Sequence, residues 1–313
     1  MAVQPDNSKG QPVVSIGMPV YNGETYIREA LDSLLAQTFA DFDLIISDNA
    51  STDGTENICR EYAGKDKRIR YIRQELNQGA TQNFNHVLNV ADGKFFMWAA
   101  HDDKWNKDYV ELLSKELAND EELAFIYGRS IFIDDLGDVC GKSINNFFRF
   151  RFMRNDRRNP GVLNAIVYFL DRSPFKIYGL YKTSAIKNYK FKPFLGSARY
   201  ADNVLLMQFL SANKAAECPI ATHFYRILPR PPEVFSEVSN FVNPTHLDVE
   251  LTYFREFLKV LWTRMGVFSV LLLPAFPLLF LGALGKPRAI KVKHWMFVTF
   301  WTLLRSALKR VGI

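Results

Sequence analysis

The chain has 313 residues, 48% of them hydrophobic and 23% charged, so it can bury a sizeable core and is neither a disordered segment nor a low-complexity linker. The net charge of +6 is local: residues 286–313 hold seven Lys or Arg and no acid, and the other 32 basic residues nearly balance 33 acidic ones, which argues against nucleic acid as the partner. Cys59, Cys140 and Cys218 form no CxxC pair, which argues against a zinc site or a disulfide framework, and the polar start MAVQPDNSKG lacks the apolar run of a signal peptide.

Val13–Met18 (VVSIGM) reads as a short buried strand that Pro19 ends. Ile27, Ala30, Leu31, Leu34 and Leu35 recur at helical spacing, which predicts an amphipathic helix over about Glu24–Gln37. Asp43–Ser47 is a second strand, and Ser51-Thr52-Asp53-Gly54 supplies capping groups for a helix through Ile58 and Tyr62. A third strand, Ile69–Ile72, precedes a helix over about Ala80–Ala91, a turn at Asp92-Gly93, a strand over Lys94–Ala99, and a helix with Tyr109, Leu112, Leu113 and Leu117 on one face. Strand and helix alternate four times in the first 120 residues, the pattern of a mostly parallel sheet covered by helices on both faces. Two more strands, Leu123–Tyr127 and Ser130–Asp134, lead into a hairpin turn at Asp135-Leu136-Gly137-Asp138.

Ligands of an open parallel sheet bind outside the carboxyl ends of its strands. Pro19, Tyr21, Asn22 and Gly23 follow the first strand, Asp48 and Asn49 the second, and His101, Asp102 and Asp103 the fourth. The apolar run before Asp102-Asp103 ends abruptly in two carboxylates, which repel each other and are costly to bury unpaired; a hard divalent cation and a diphosphate relieve both problems. Plainer roles exist for each residue. Asp103 can cap the helix starting near Asn106, Asp48 can be a turn residue before Asn49, and Tyr21 can pack under the sheet edge.

The segments VVSIGMPVYNGETYIREALDSLLAQTF, DLIISDNASTDGT, NQGATQNFNHVLNVADGKFFMWAAHDD and YGLYKTSAI, in this order and spacing, resemble glycosyltransferase family 2 over about Val13–Arg226. The resemblance implies an α/β GT-A fold, a Rossmann-like, mostly parallel sheet, and a metal-dependent inverting transfer with Mg2+ or Mn2+. It also implies roles for single residues. Pro19, Tyr21 and Asn22 would line the nucleotide pocket, with Tyr21 next to the base. Asp48 would accept a hydrogen bond from uracil or another base, and Asn77, Gly79 and Asn83 would shape the wall near the ribose and diphosphate. Asp102 would face the ribose or sugar, Asp103 would bind the metal, and Asp202, in Tyr200-Ala201-Asp202-Asn203, would be the catalytic base. Asp202 could equally cap the amphipathic stretch that carries Val204, Leu205, Met207, Phe209 and Leu210.

Three departures from the family pattern stand out. Ala201 replaces an acid often found before the base. Tyr225-Arg226 is followed by Ile227, Leu228 and Pro229 rather than by a metal-assisting histidine, while His223 stands just before the pair. The Gln-x-x-Arg-Trp signature of processive synthases is absent, which points to transfer of one sugar at a time.

Phe147–Arg158 interleaves aromatics with five arginines, which suits a flap over the donor, a phosphate-bearing acceptor, single-stranded nucleic acid, or a solvated loop. Met265–Gly285 is uncharged and apolar but interrupted by Pro274 and Pro277, and a single span would export the basic tail against the positive-inside rule. The expected arrangement is attachment from one side, with Trp295–Leu304 at the interface and the basic residues on an anionic membrane surface; a buried helical hairpin is the alternative. A helix with Leu251, Phe254, Leu258, Leu261 and Trp262 on one face would link the two parts.

The expected organisation is a flexible stretch over residues 1–12, a catalytic domain over 13–235 and a helical membrane-associating region over 236–313. The expected activity is transfer from a nucleotide sugar, a UDP-sugar first, to a lipid-linked or surface-polysaccharide acceptor on the cytoplasmic side of the membrane. The competitors are a sugar-phosphate nucleotidyltransferase, which would want a Gly-rich basic loop where PVYNG stands, and a silent membrane scaffold of the same fold.

Overall fold

Val14–Val20 is buried at every position, which a strand tolerates only in a sheet covered on both faces. The computed structural model describes residues 12–140, 174–193, 201–228 and 246–265. Its strands are β1 (Val14–Val20), β2 (Phe42–Asp48), β3 (Ile69–Arg73), β4 (Phe95–Trp98), β5 (Lys104–Trp105), β6 (Leu123–Ile133), β7 (Leu180–Lys182) and β8 (Lys214–Arg226). The helices are α1 (Ile27–Leu35), α2 (Thr55–Lys65), α3 (Ala80–Asn89), α4 (Tyr109–Asn119), the short α5 (Thr183–Ile186), α6 (Ala201–Leu210) and α7 (His246–Met265).

The strands form one sheet in the order β3-β2-β1-β4-β7-β6-β8-β5. β1, β2, β3 and β4 pair in parallel. β7 is antiparallel to both β4 and β6, so β6 runs with β4, and β8 pairs in parallel with β6. Six strands therefore end at the same edge, and only β5 and β7 run the other way.

The two faces bury separate apolar clusters. Alternate residues of β1 (Val14, Ile16, Met18 and Val20) pack with α1, α2 and α4 on one face. On the other face Ile45, Phe96 and Trp98 pack with α3, α6 and α7. Gly17 is where α3 meets the sheet, and a Cβ there would lie 2.8 Å from the Val87 Cβ.

The α/β, GT-A-like architecture agrees with expectation, and the first four strands lie within two residues of their expected bounds. The second half of the sheet differs. Leu123–Tyr127 and Ser130–Asp134 are one continuous strand, because β6 pairs along its length with the long β8, with a register shift at Gly128/Arg129. The helix expected as a link is α7, whose Tyr253, Phe254, Phe257, Leu258, Val260 and Leu261 belong to the same cluster as α6. Among the described residues no helix is long and apolar enough to cross a membrane. Phe147–Arg158, the apolar run beyond Met265, Trp295–Leu304 and the basic tail lie outside the described residues.

Candidate active site

The loops after β1 and β2 are laced together. Asn22 sits at φ 51°, a left-handed conformation that asparagine tolerates better than most residues. Its N–H donates to Ser51 Oγ at 2.9 Å, and its side-chain oxygen accepts from the Thr52 N–H at 2.8 Å. The Gly23 N–H donates to Thr55 Oγ1 at 2.8 Å and the Glu24 N–H to Asp53 Oδ2 at 3.1 Å, while the Glu24 carboxylate accepts from the Gly54 N–H. These bonds use Glu24 in the loop, which is one reason α1 starts three residues later than its apolar spacing suggests. Pro19 is buried in β1, and Tyr21 stands out from the loop at 43% exposure, its ring free to stack on a planar ligand.

Several residues expected at the nucleotide make hydrogen bonds that brace the loops. Asp48 is 0% exposed. One of its carboxylate oxygens accepts from the Tyr71 hydroxyl at 2.7 Å and from Arg73 at 2.8 Å, and the other accepts from the Ser51 N–H at 2.8 Å. Asn83 is buried beneath the loops, donating to Ser47 O and Val20 O and accepting from the Ser47 hydroxyl at 2.6 Å, so it ties the ends of β1 and β2 together. Asn77 is exposed and accepts from the Asn49 amide at 2.7 Å and the Gly79 N–H at 2.8 Å. Gly79 enters α3 at φ 84°, which a side chain would strain.

At the end of β4 the two aspartates part company. Asp103 is 1% exposed, and each of its oxygens is engaged: Oδ2 lies 2.9 Å from His223 Nε2, and Oδ1 accepts from the Arg226 N–H at 2.8 Å. The other ring nitrogen of His223 lies 3.3 Å from Ser130 Oγ, and the imidazole stacks on Trp105. Asp102 is partly exposed, and no other described residue donates to its carboxylate. Burial pushes the Asp102 carboxyl above its ordinary value, neighbouring His101 pulls it down, and the Asp103 charge pushes it up again.

Asp202 lies in the first turn of α6, where one carboxylate oxygen accepts from the Asn203 N–H at 2.8 Å and from its side-chain amide at 3.2 Å. Burial pushes its carboxyl up to about 6, against the pull of those bonds. Tyr178, at the end of the 3₁₀ turn Pro174–Tyr178, has its ring centre 5.2 Å from that of His223. Its phenol is held well above its ordinary value by burial first and then by the charges of Asp103, Tyr225, Asp102 and Asp202. The aspartates of the β4 loop and of α6 thus act on one phenol.

Of the expected residues, Tyr21, Asn22 and Asn77 are exposed, Asp102, Gly79 and Asp202 partly so, and Pro19, Asp48, Asn83 and Asp103 are buried. The sequence drew attention to His223 and the Tyr225-Arg226 pair without assigning either a role, since their relevance depends on β8 ending beside β4's loop, which no local pattern announces. Among the described residues no group of three His, Cys, Asp or Glu side chains could hold a metal ion alone. The Asp102 carboxylate, with no donor from another described residue, could supply one ligand to a hard cation, which usually takes one or two carboxylates together with ligands from elsewhere. Asp103, expected as the metal ligand, has its oxygens occupied by His223 and Arg226 instead.

The sequence profile described as Glycosyl transferase family 2 matches residues 15–175. Glycosyltransferase GlyA of Streptococcus pneumoniae is 38% identical over 104 residues, 33% of this chain and 15% of its own length. TuaG of Bacillus subtilis, named for teichuronic acid biosynthesis, is 39% identical over 101 residues, 32% of this chain and 40% of its own. The matched stretch thus spans less than half of either relative. The crystal structure of S. aureus TarS 1-349 with UDP-GlcNAc superposes with a TM-score of 0.58 at 20% identity, covering 96% of this chain and 92% of that one, a likeness of fold.

Proposed function

The chain belongs to glycosyl transferase family 2, and from that premise we propose that it transfers a single sugar from a nucleoside-diphosphate donor to an acceptor hydroxyl, with inversion at the anomeric carbon. The observation that carries this reading is the Asp102 carboxylate, partly exposed and without a donor from any other described residue, at the end of a buried strand beside the laced nucleotide loops. A UDP-sugar is the first donor to test, supported by the UDP-GlcNAc bound in the similarly folded TarS. A lipid-linked or cell-surface polysaccharide acceptor is supported by the name of TuaG.

In this mechanism Tyr21 stacks on the base, and the loop braced by Asn22, Ser51 and Thr52 holds the ribose side. Asp48 does not read the base itself; it keeps Arg73, Tyr71 and Ser51 in place around it. Asp102 would hold Mg2+ or Mn2+, and the ion would supply positive charge to offset that of the departing diphosphate. Asp103 is the support of that loop. Asp202, with its carboxyl pushed up to about 6, remains mostly ionised at neutral pH and takes the proton from the acceptor hydroxyl as that oxygen attacks. The basic, apolar C-terminal residues attach the enzyme to the inner face of the cytoplasmic membrane, peripherally or from one side. That attachment is tested by cutting the chain after Thr263, which should release it from membrane pellets without detergent.

The function is tested with a panel of nucleotide sugars and Mg2+ or Mn2+, measuring release of the nucleoside diphosphate. Slow release without acceptor from one donor, accelerated by a polysaccharide precursor, is expected. Release of pyrophosphate from a sugar phosphate and a nucleoside triphosphate, with no donor hydrolysis, would replace transfer by nucleotidyl transfer.

A further inference from the structure

We propose that Arg226 is a positioning residue of the donor site, fixing Asp102 at a set distance from α1 while leaving its carboxylate free for the cation; this rests on the function proposed above. The Arg226 side chain is 1% exposed. Its Nε donates to the carbonyl of Asp102 at 2.8 Å, and Nη1 donates to the carbonyls of Asp134 at 2.8 Å and Asp135 at 3.0 Å. Nη2 pairs with the Glu29 carboxylate of α1, and the guanidinium lies 4.6 Å from the ring centre of Tyr26, the residue that opens α1. Its own N–H holds Asp103 at 2.8 Å. One planar group thereby joins four places: the start of α1, which follows the nucleotide loop; the carboxylate loop after β4; the turn after β6; and the end of β8.

Which atoms it contacts is what matters. An arginine beside two aspartates would ordinarily form a bidentate ion pair with one carboxylate. Arg226 instead grips Asp102 through the backbone carbonyl and spends its charge on Glu29, which Lys104 also pairs with at 2.6 Å. Asp103 is satisfied by His223 and a backbone N–H. Among the described residues no cationic side chain is in hydrogen-bonding contact with the Asp102 carboxylate, which leaves it available to a cation. Lysine could supply the charge but not the fork that reaches three carbonyls and a carboxylate together.

The test is calorimetric binding of UDP to the full chain, with and without Mn2+, on Arg226→Lys and Glu29→Gln, alongside melting curves. Losing an outer partner of a metal ligand ordinarily costs about 10–100-fold in metal affinity, so Arg226→Lys should need at least about tenfold more Mn2+ for half-maximal UDP binding. Glu29→Gln, which keeps the carbonyl contacts and serves if the first variant fails to fold, should need about threefold more. UDP affinity in EDTA should stay at the wild-type value in both. An unchanged Mn2+ requirement in a folded variant overturns the proposal. So does a parallel fall in metal-free UDP affinity, which would make Arg226 a general brace. Wild-type protein that binds UDP equally with and without Mn2+ instead removes the metal reading of the site, and the role of Arg226 with it.

Discussion

The half of the sheet built from β3, β2, β1 and β4 and the half built from β7, β6, β8 and β5 deliver residues to the same edge by different routes. In the first half β1, β2 and β3 are each followed by their own helix and pair in parallel as chain neighbours, and β4 adds to the free edge of β1, so the loops proposed to face a nucleotide arise largely from local order. In the second half a short antiparallel strand, β7, restores the direction of β6, and β8 returns about a hundred residues after β4 to close on β6 and β5. The consequence is a division of labour. The first half offers a surface with the exposed ring of Tyr21, and the second provides the buried pairs that engage Asp103 and leave the Asp102 carboxylate free of them, together with the proposed base.

That division predicts which half hurts which measurement. The largest effect belongs to Asp202→Asn, which should lower transfer by about 10²–10⁴-fold, the range typical of a lost general base, while UDP affinity stays within about twofold. Wild-type turnover in that variant would take Asp202 out of the chemistry. Next is Asp103→Ala. It strands the Arg226 N–H and the His223 ring nitrogen in a site 1% exposed, and each buried polar group left unsatisfied costs about 1–3 kcal/mol, read by urea denaturation. A loss under about 1 kcal/mol would mean that the second half does not depend on this pair. In the first half, Tyr21→Ala should weaken UDP binding by about 1–3 kcal/mol, the usual worth of an aromatic ring stacked on a base, with kcat preserved. A fall in kcat with an unchanged KM would place Tyr21 away from the base.

The smallest effect is in pH dependence, and its two signs are opposite. Asp202 must be ionised to accept a proton, so turnover should fall as the pH drops through about 6. Stability runs the other way. A carboxyl raised from 3.8 to about 6 on folding binds its proton more tightly in the native state, so its contribution is present below about 3.8 and is lost as pH rises through about 6. Asp202→Asn should therefore raise the melting temperature at pH 8 by about 2–4 °C, the shift about 1 kcal/mol gives in a domain of about 200 residues, and by less at pH 5. A variant no more stable at pH 8 than at pH 5, relative to wild type, would show that burial does not strain this carboxyl.

The same contrast explains how far the sequence could be read. Unbroken apolar runs such as VSIGMPV and the helical spacing of Ile27, Ala30, Leu31 and Leu34 report burial directly, so the first four strands and their helices were legible, as was the edge where ligands meet them. The adjacency of Asp102 and Asp103 was legible too, but their roles were not. Which carboxylate is buried depends on His223 and Arg226, more than a hundred residues away, and on a register shift that skips from Cys218 to Thr222 opposite Gly128 and Arg129. The partners of Asp48 were hidden in a similar way. Its place at the end of β2 suggested a ligand contact, while Tyr71 and Arg73 of β3 take up the carboxylate instead. Position along a strand shows in sequence; competition for a lone pair does not.

The most direct test of the account compares Asp102→Asn with wild type in calorimetric UDP titrations with and without Mn2+. Removing the free carboxylate should leave melting temperature and metal-free UDP affinity unchanged and abolish the gain that Mn2+ confers. A variant that still binds UDP more tightly with Mn2+, to the same degree as wild type, would contradict the claim that this one open acid meets the donor's diphosphate through a cation.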